Sequence, residues 1–112
     1  MIKFKSIILA GALVLPISGS SIALAHQDDL RLAITHTRAA VVAGRSNKPS
    51  VLVRHSTEAL FYARDAQVDH PNIHIRKGIS RLKEAIKFGN KRRSSATTIA
   101  NRALQELERA PQ

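Results

Sequence analysis

The sequence predicts an all-α protein, an antiparallel up-down four-helix bundle that follows a secretory signal segment. Three observations predict it. Apolar residues recur every three to four positions in four stretches, short polar or Gly- and Pro-containing breaks separate them, and one helix-length unit repeats four times. The 112 residues include no Cys, which excludes a disulfide framework and a thiolate metal site, and the 4% of aromatic residues argue against a stacking platform for single-stranded nucleic acid.

Residues 1–25 have the composition of a secretory signal peptide. Two lysines precede an apolar run over residues 7–17, and the segment ends in Ala23-Leu24-Ala25, a small-x-small cleavage sequence. The apolar run is about ten residues long, whereas a membrane span needs about 20. We therefore expect cleavage near Ala25, a periplasmic or secreted protein, and one helical domain over residues 26–112 without a transmembrane segment. An uncleaved membrane anchor is the alternative.

The first two helices are delimited by acids, polar residues and proline. Asp28 and Asp29 favour the positive end of a first helix that runs to about Gly44. Residues 45–48 form a polar turn. Pro49 then suits the first turn of a second helix, which ends after about 19 residues.

The last two helices follow two further breaks. Residues 69–71 precede Asn72, a suitable N-cap for a third helix that ends near Gly89. Residues 90–93 form the next turn, and a fourth helix runs to about Ala110 before a proline. Loops of about four to six residues between such helices favour antiparallel neighbours.

The repeated unit gives each helix one apolar stripe. The unit begins at Ile34, Val53 and Ile79, and more weakly at Thr97. The equivalent apolar or small positions recur with a period near 3.6 residues, so they share one face of each helix. No unit buries its stripe alone, and the four stripes together predict a narrow, Ala-rich core of modest stability.

Two histidines occupy the same position of the repeat. His36 and His55 lie about 90° from the centre of the core stripe, which places both at a seam between helices. They are about ten and nine residues from a turn centred near Ser46, so an antiparallel hairpin with a rise of 1.5 Å per residue brings them to one level. Neutral imidazole suits Cu(II), Ni(II) and Zn(II). The pair is a candidate metal site; the alternative is two half-exposed histidines hydrogen-bonded to water.

The repeats resemble a known family. The four units, the Ala-rich helices and the stretch His74-Ile75-Arg76-Lys77-Gly78-Ile79 resemble the small metal-binding proteins of Gram-negative bacteria, which are periplasmic His-rich four-helix bundles that bind copper and other divalent metals. The resemblance covers nearly all of residues 27–110. It implies the bundle fold, export and a metal ion as partner, and it matches His36, His55 and His74 to family histidines.

The chain departs from the family pattern at the expected ligands. Helices of the family resemble a pattern in which two His lie seven residues apart. In the first two repeats of this chain, Ala43 and Tyr62 stand where the second His of that pattern would be. Arg81 and Ile99 replace the first His of the other two. Neither a guanidinium nor an alkyl side chain coordinates a metal. We therefore expect one or two weak residual sites instead of high-capacity metal storage.

Two further arrangements of histidine offer metal donors. Cleavage near Ala25 makes His26 the first residue, whose α-amine and imidazole form a bidentate copper chelate; a frayed, unliganded terminus is the alternative. His70 and His74 have the spacing of a helical chelate, but Pro71 lies between them and predicts a turn.

Basic residues are concentrated in the second half of the chain. The whole sequence has 18 Lys plus Arg against 8 acids, and residues 76–93 contain eight of these cations and one acid, Glu84. This charge produces a positive potential that attracts an anionic envelope component, while the expected export and the few aromatic residues disfavour nucleic acid. A solvated basic surface is the alternative. The predicted surface consists of Arg76, Lys77, Arg81, Lys83, Lys87, Lys91, Arg92 and Arg93.

The sequence carries no nucleophile elbow, phosphate loop or zincin motif, and a thin core leaves little room for a catalytic cleft. We predict that the protein is not an enzyme. The sequence as a whole indicates a small exported bundle with weak Cu(II), Ni(II) or Zn(II) binding. A basic interaction or structural protein of the envelope, without metal function, is the alternative.

Overall fold

The computed structural model describes the backbone of residues 18–112 and the side chains of residues 28–112. Within this part the chain is all-helical and has no strand, which confirms the all-α class. The first 17 residues of the predicted signal segment lie outside the described residues. None of the described helices has the length and apolar character needed to cross a membrane. The helices are α1 (Ser18–Arg45), α2 (Pro49–Asp69), α3 (Ile73–Asn90) and α4 (Ser95–Arg109).

The breaks between the helices are confirmed to within about two residues. Pro49 is the first residue of α2, where its missing N–H costs no helical hydrogen bond. Asn72 is the N-cap of α3, and its side-chain oxygen accepts a hydrogen bond from the backbone N–H of His74 at 2.7 Å. The N-cap of α4 is Ser94, whose side chain makes no capping hydrogen bond.

The predicted start of the first helix at Asp28 is wrong for this chain. Helix α1 begins at Ser18, and its first turn contains no acid. Residues 20–27 include no Gly or Pro, so no helix breaker separates them from Asp28. The acids therefore lie within α1, and they reach its first turn only in a chain cleaved near Ala25.

The core consists of two clusters, one in each half of the bundle. One cluster is built around Leu60, Leu82 and Leu107, and the other around Val41 and Leu52, and alanines fill about half of the positions in each. The predicted stripes account for most of these residues. This small-residue core explains how the helices approach one another closely.

Two glycines illustrate how closely the helices approach one another. A Cβ atom added at Gly44 of α1 would lie 2.9 Å from the Cβ of Thr97 on α4 and 2.9 Å from Cδ1 of Leu52 on α2. A Cβ at Gly78 of α3 would lie 2.6 Å from Cδ2 of Leu107 on α4. Both glycines are thus required by helix contact, since neither has a positive φ.

The turn between α1 and α2 meets the turn between α3 and α4 at one end of the bundle. A cavity of about 140 Å³ is lined by Asn47 and Lys48 from the first turn and by Arg92 and Arg93 from the second. We call the half of the bundle that contains these two turns, residues 39–54 and 85–105, the turn end.

Candidate metal centre

The structure brings the two predicted histidines together across the seam between α1 and α2. Nδ1 of His36 lies 3.3 Å from Nδ1 of His55. The two rings are stacked, with centroids 5.6 Å apart and planes at 28°. Each side chain is 24% exposed, so solvent reaches both rings. The distance agrees with the common level that helix rise and turn position predict.

Glu58 completes a group of three donors. Its Oε1 lies 3.1 Å from Nδ1 of His36 and 3.3 Å from Nδ1 of His55. Among the described residues, these three form the one group of at least three His, Cys, Asp or Glu side chains whose ligand atoms lie within 4.8 Å of one another. Glu58 is not among the donors predicted from the sequence, although its spacing of three residues from His55 puts both on one helix face.

The donor set fits a divalent transition metal. Bonds of about 2.0–2.1 Å in a tetrahedral site place neighbouring donors about 3.3–3.4 Å apart. The three separations of 3.1 to 3.3 Å are close to that edge length. Two imidazole nitrogens and one carboxylate oxygen are donors that Zn(II), Ni(II) and Cu(II) accept. Each imidazole in the tautomer with Nδ1 unprotonated offers one lone pair to a cation, and the Glu58 carboxylate offers another.

Aromatic side chains line one side of the group. The ring of Tyr62 is stacked parallel to that of His36, with centroids 5.7 Å apart and planes at 6°. Phe61 meets Tyr62 edge to face at 5.3 Å and is itself 61% exposed. Tyr62 stands where the family resemblance implies a second histidine. Its ring limits the rotation of the His36 imidazole, because a large turn of either ring would break the stack.

A family model described as small metal-binding protein matches residues 1–110. The chain belongs to the small metal-binding protein family. No curated protein shows significant sequence similarity to it. Membership confirms the resemblance drawn from the repeats and supports a metal ion as the ligand. Metal binding, not catalysis, is what the description of the family names.

In this small metal-binding protein, His74 does not join the three-donor group. It lies in the first turn of α3, and its Nδ1 is 3.0 Å from Oε1 of Glu106 on α4. This hydrogen bond is the main reason that the pKa of Glu106 is lowered, against the opposing effect of partial burial; the charges of Arg109 and Lys77 lower it further. The Nε2 atom is the donor that His74 has left for a metal, as in carboxylate-histidine pairs that hold metals elsewhere.

Of the remaining sequence-predicted donors, His70 is not a member of the group. The side chain of His26 lies outside the described side chains. His70 follows the last residue of α2, whereas His74 belongs to α3, so the two are not on one continuous helix and the helical chelate spacing does not apply. His70 instead lines a cavity of about 400 Å³ with Leu30 and Ile75.

The third and fourth repeats of this family member carry other side chains in place of the donors. Arg81 and Glu84 are the repeat equivalents of His55 and Glu58. The guanidinium of Arg81 donates to Oε1 of Glu84 at 3.0 Å, so an intrahelical Arg–Glu ion pair stands where α2 has two members of the three-donor group. Ile99 is only 9% exposed and extends the core.

Proposed function

We propose that the protein binds one divalent transition-metal ion, Cu(II), Ni(II) or Zn(II), as cargo through His36, His55 and Glu58. The observation that carries this proposal is the convergence of three donor atoms from α1 and α2 with separations of 3.1 to 3.3 Å. Family membership supports metal as the ligand.

The site has the properties of a weak, exchangeable one. Three protein donors leave further coordination positions to water, and the Glu58 side chain is 46% exposed. Cu(II) forms the tightest complexes with such nitrogen and oxygen donors in the divalent series. We therefore propose metal scavenging with rapid release, with Cu(II) bound more tightly than Ni(II) or Zn(II). The Nε2 of His74 and, after cleavage, the terminal amine and imidazole of His26 are further weak donors.

The proposed setting is the periplasm or the extracellular space, after cleavage near Ala25. The signal-like composition of residues 1–25 supports it. We also propose the antiparallel up-down order for the four helices, because short turns connect neighbours and because contacts such as His36 with His55 and Gly78 with Leu107 join residues at similar distances from a turn.

The decisive experiment is a metal titration followed by tyrosine fluorescence. The chain has one Tyr and no Trp, and Tyr62 stacks on His36, so its emission reports directly on the site. We expect Cu(II) to quench this emission saturably with one ion per chain. The variant His36→Ala, His55→Ala should lose the saturable phase, and Glu58→Gln should retain it at a higher Kd.

A matched control separates coordination from charge. Glu84→Gln removes a carboxylate of the same 46% exposure from the equivalent position of α3, and it should leave the Kd unchanged. His74→Ala should likewise leave the Tyr62 signal unchanged, because its ring lies outside the three-donor group. An unchanged Kd in the double-alanine variant would overturn the proposal.

A second candidate function is attachment to an anionic envelope component. Half of the basic surface predicted from the sequence, Lys87, Lys91, Arg92 and Arg93, lies at the turn end, and Lys48 from the first turn lines the same cavity as Arg92 and Arg93. This arrangement favours a local anionic contact over a uniformly solvated surface.

A further inference from the structure

The net charge of the described chain lies entirely in one half of the bundle. The turn end contains eight Lys and Arg side chains and no acid. The other half, residues 28–38, 55–84 and 106–112, contains eight Lys and Arg and all eight acids, so its formal charge is zero. Two of the turn-end cations lie further along the helices. The other six lie in or next to the two turns, which form the tip of the bundle. These six are Arg45, Lys48, Lys87, Lys91, Arg92 and Arg93.

Ion pairs reinforce this separation of charge. Acids of the other half are engaged by cations of that same half, and one of the pairs joins α1 to α4 at 2.6 Å. The neutral half is therefore internally compensated, while the potential of the turn end is not offset by neighbouring carboxylates. The pairs are Arg31 with Asp28, Arg38 with Glu108, Arg81 with Glu84 and Arg109 with Glu106.

The backbone adds to the positive potential at the tip. Helices α2 and α4 both begin there, neither has a side-chain cap at its N-terminus, and neither has an acid in its first turn. The positive ends of both helix dipoles thus lie beside the six cations. Arg92 adopts φ 55°, a left-handed conformation that Gly or Asn adopts at lower cost, as Asn47 does with φ 59° in the other turn. The second turn thus carries a charged residue at a position where the backbone favours Gly or Asn.

We propose that the turn end is a docking surface for a membrane rich in anionic phospholipid. Six cations on a blunt face about 20 Å across, the width of helices packed about 8–10 Å apart, match the charge of several phosphodiester head groups. This inference rests on the second candidate function, for which it names the anionic partner. It does not rest on metal binding, since the three metal donors lie outside the tip.

The shape of the surface favours lipid over nucleic acid. Proteins that read duplex DNA place a helix or a strand pair in a groove, whereas here the cations lie on turns at the end of a bundle. The aromatic side chain at this end, Phe88, is half-buried beneath Lys87 and Arg93, whose charged groups lie 5.9 and 5.7 Å from its ring centroid, so it offers no stacking face. Val42 is 57% exposed and supplies an apolar contact suited to an interface.

The test is sedimentation with vesicles, using residues 26–112 as well as the whole chain. The vesicles contain phosphatidylcholine alone or with about one third phosphatidylglycerol. We expect binding only to the anionic vesicles, with affinity that falls as salt rises. The variant Lys48→Gln, Arg92→Asn removes one cation from each turn, and it should weaken binding about 25-fold, or about fivefold for each basic residue near the surface.

The control variant removes the same charge from the other half. Arg64→Gln, Arg76→Gln changes two exposed arginines and gives the same net charge, yet it should alter binding by less than about twofold. Equal losses in the two variants would overturn a local docking surface and leave only attraction by net charge. Loss of vesicle binding in 10 mM inorganic phosphate at constant ionic strength would instead assign the cavity to free phosphate. Binding to a duplex oligonucleotide but not to vesicles would also overturn the proposal.

Discussion

Zinc binding should raise the thermal stability of the protein by an amount that depends on His55. The donors come from two helices, so the three-atom group exists only when α1 and α2 are packed together. A ligand at 100 times its Kd that binds only the folded state stabilises that state by about 2.7 kcal/mol. A free-energy change of 1 kcal/mol shifts the Tm of a domain of 60–100 residues by about 4–8 °C. The expected rise is therefore about 11–22 °C, and any binding of zinc to the unfolded chain reduces it.

The assay is circular dichroism at 222 nm during heating, with excess Zn(II) and with EDTA. His55→Ala removes one of the two imidazole donors of the group, and the zinc-dependent rise should fall to a few degrees. In EDTA, the variant should melt within a few degrees of the natural chain, because the lost ring is partly exposed. Glu84→Gln should keep the full rise. The same rise in His55→Ala as in the natural chain would refute the assignment of the donors.

Three other perturbations have defined outcomes. Arg92→Asn should raise the Tm by about 4–8 °C, because it relieves about 1 kcal/mol of left-handed strain; a lower Tm in a melting experiment contradicts this. Gly44→Ala should lower the unfolding free energy, measured by urea denaturation, by up to about 2 kcal/mol. Overpacking against Thr97 costs about 1–3 kcal/mol, and the higher helix propensity of Ala offsets about 1 kcal/mol of this cost. A clear gain in stability contradicts this prediction. Glu106 has a lowered pKa, chiefly through its hydrogen bond with His74, so its carboxylate contributes stability that is present above pH 4.5 and lost as the pH falls through the lowered value. Glu106→Gln should flatten this acid-side loss in denaturation curves measured below pH 4.5, and an unchanged slope contradicts this expectation.

Helix geometry explains why the histidine pair could be predicted from sequence. The position in the repeat determines the helix face on which each histidine lies, and the distance from the turn determines its height along the bundle. These two quantities together place His36 next to His55. Glu58 was missed because the repeats were compared with one another, and its equivalent in α1 is Ala39. A donor supplied by one repeat alone is visible only from spacing within that helix.

The grouping of the basic residues, in contrast, could not be predicted from their order in the sequence. Counting along the chain groups Arg76 and Lys77 with Arg92 and Arg93, although packing puts the first two in the half that contains all the acids. The basic residues of the first turn, far away in sequence, join the second turn only when the bundle forms. The start of α1 was also misplaced, because acids favour a helix start but do not prevent a helix from continuing through them.

The separation of charge also gives the bundle a permanent electric dipole along its axis. Such a molecule experiences a torque near any negative surface and turns its cationic tip toward that surface before contact. The metal donors lie about nine residues from the first turn, or about 14 Å along the axis, and at the edge of the neutral half. An oriented molecule would therefore hold its three donors clear of the surface, where they remain open to ions arriving from solution.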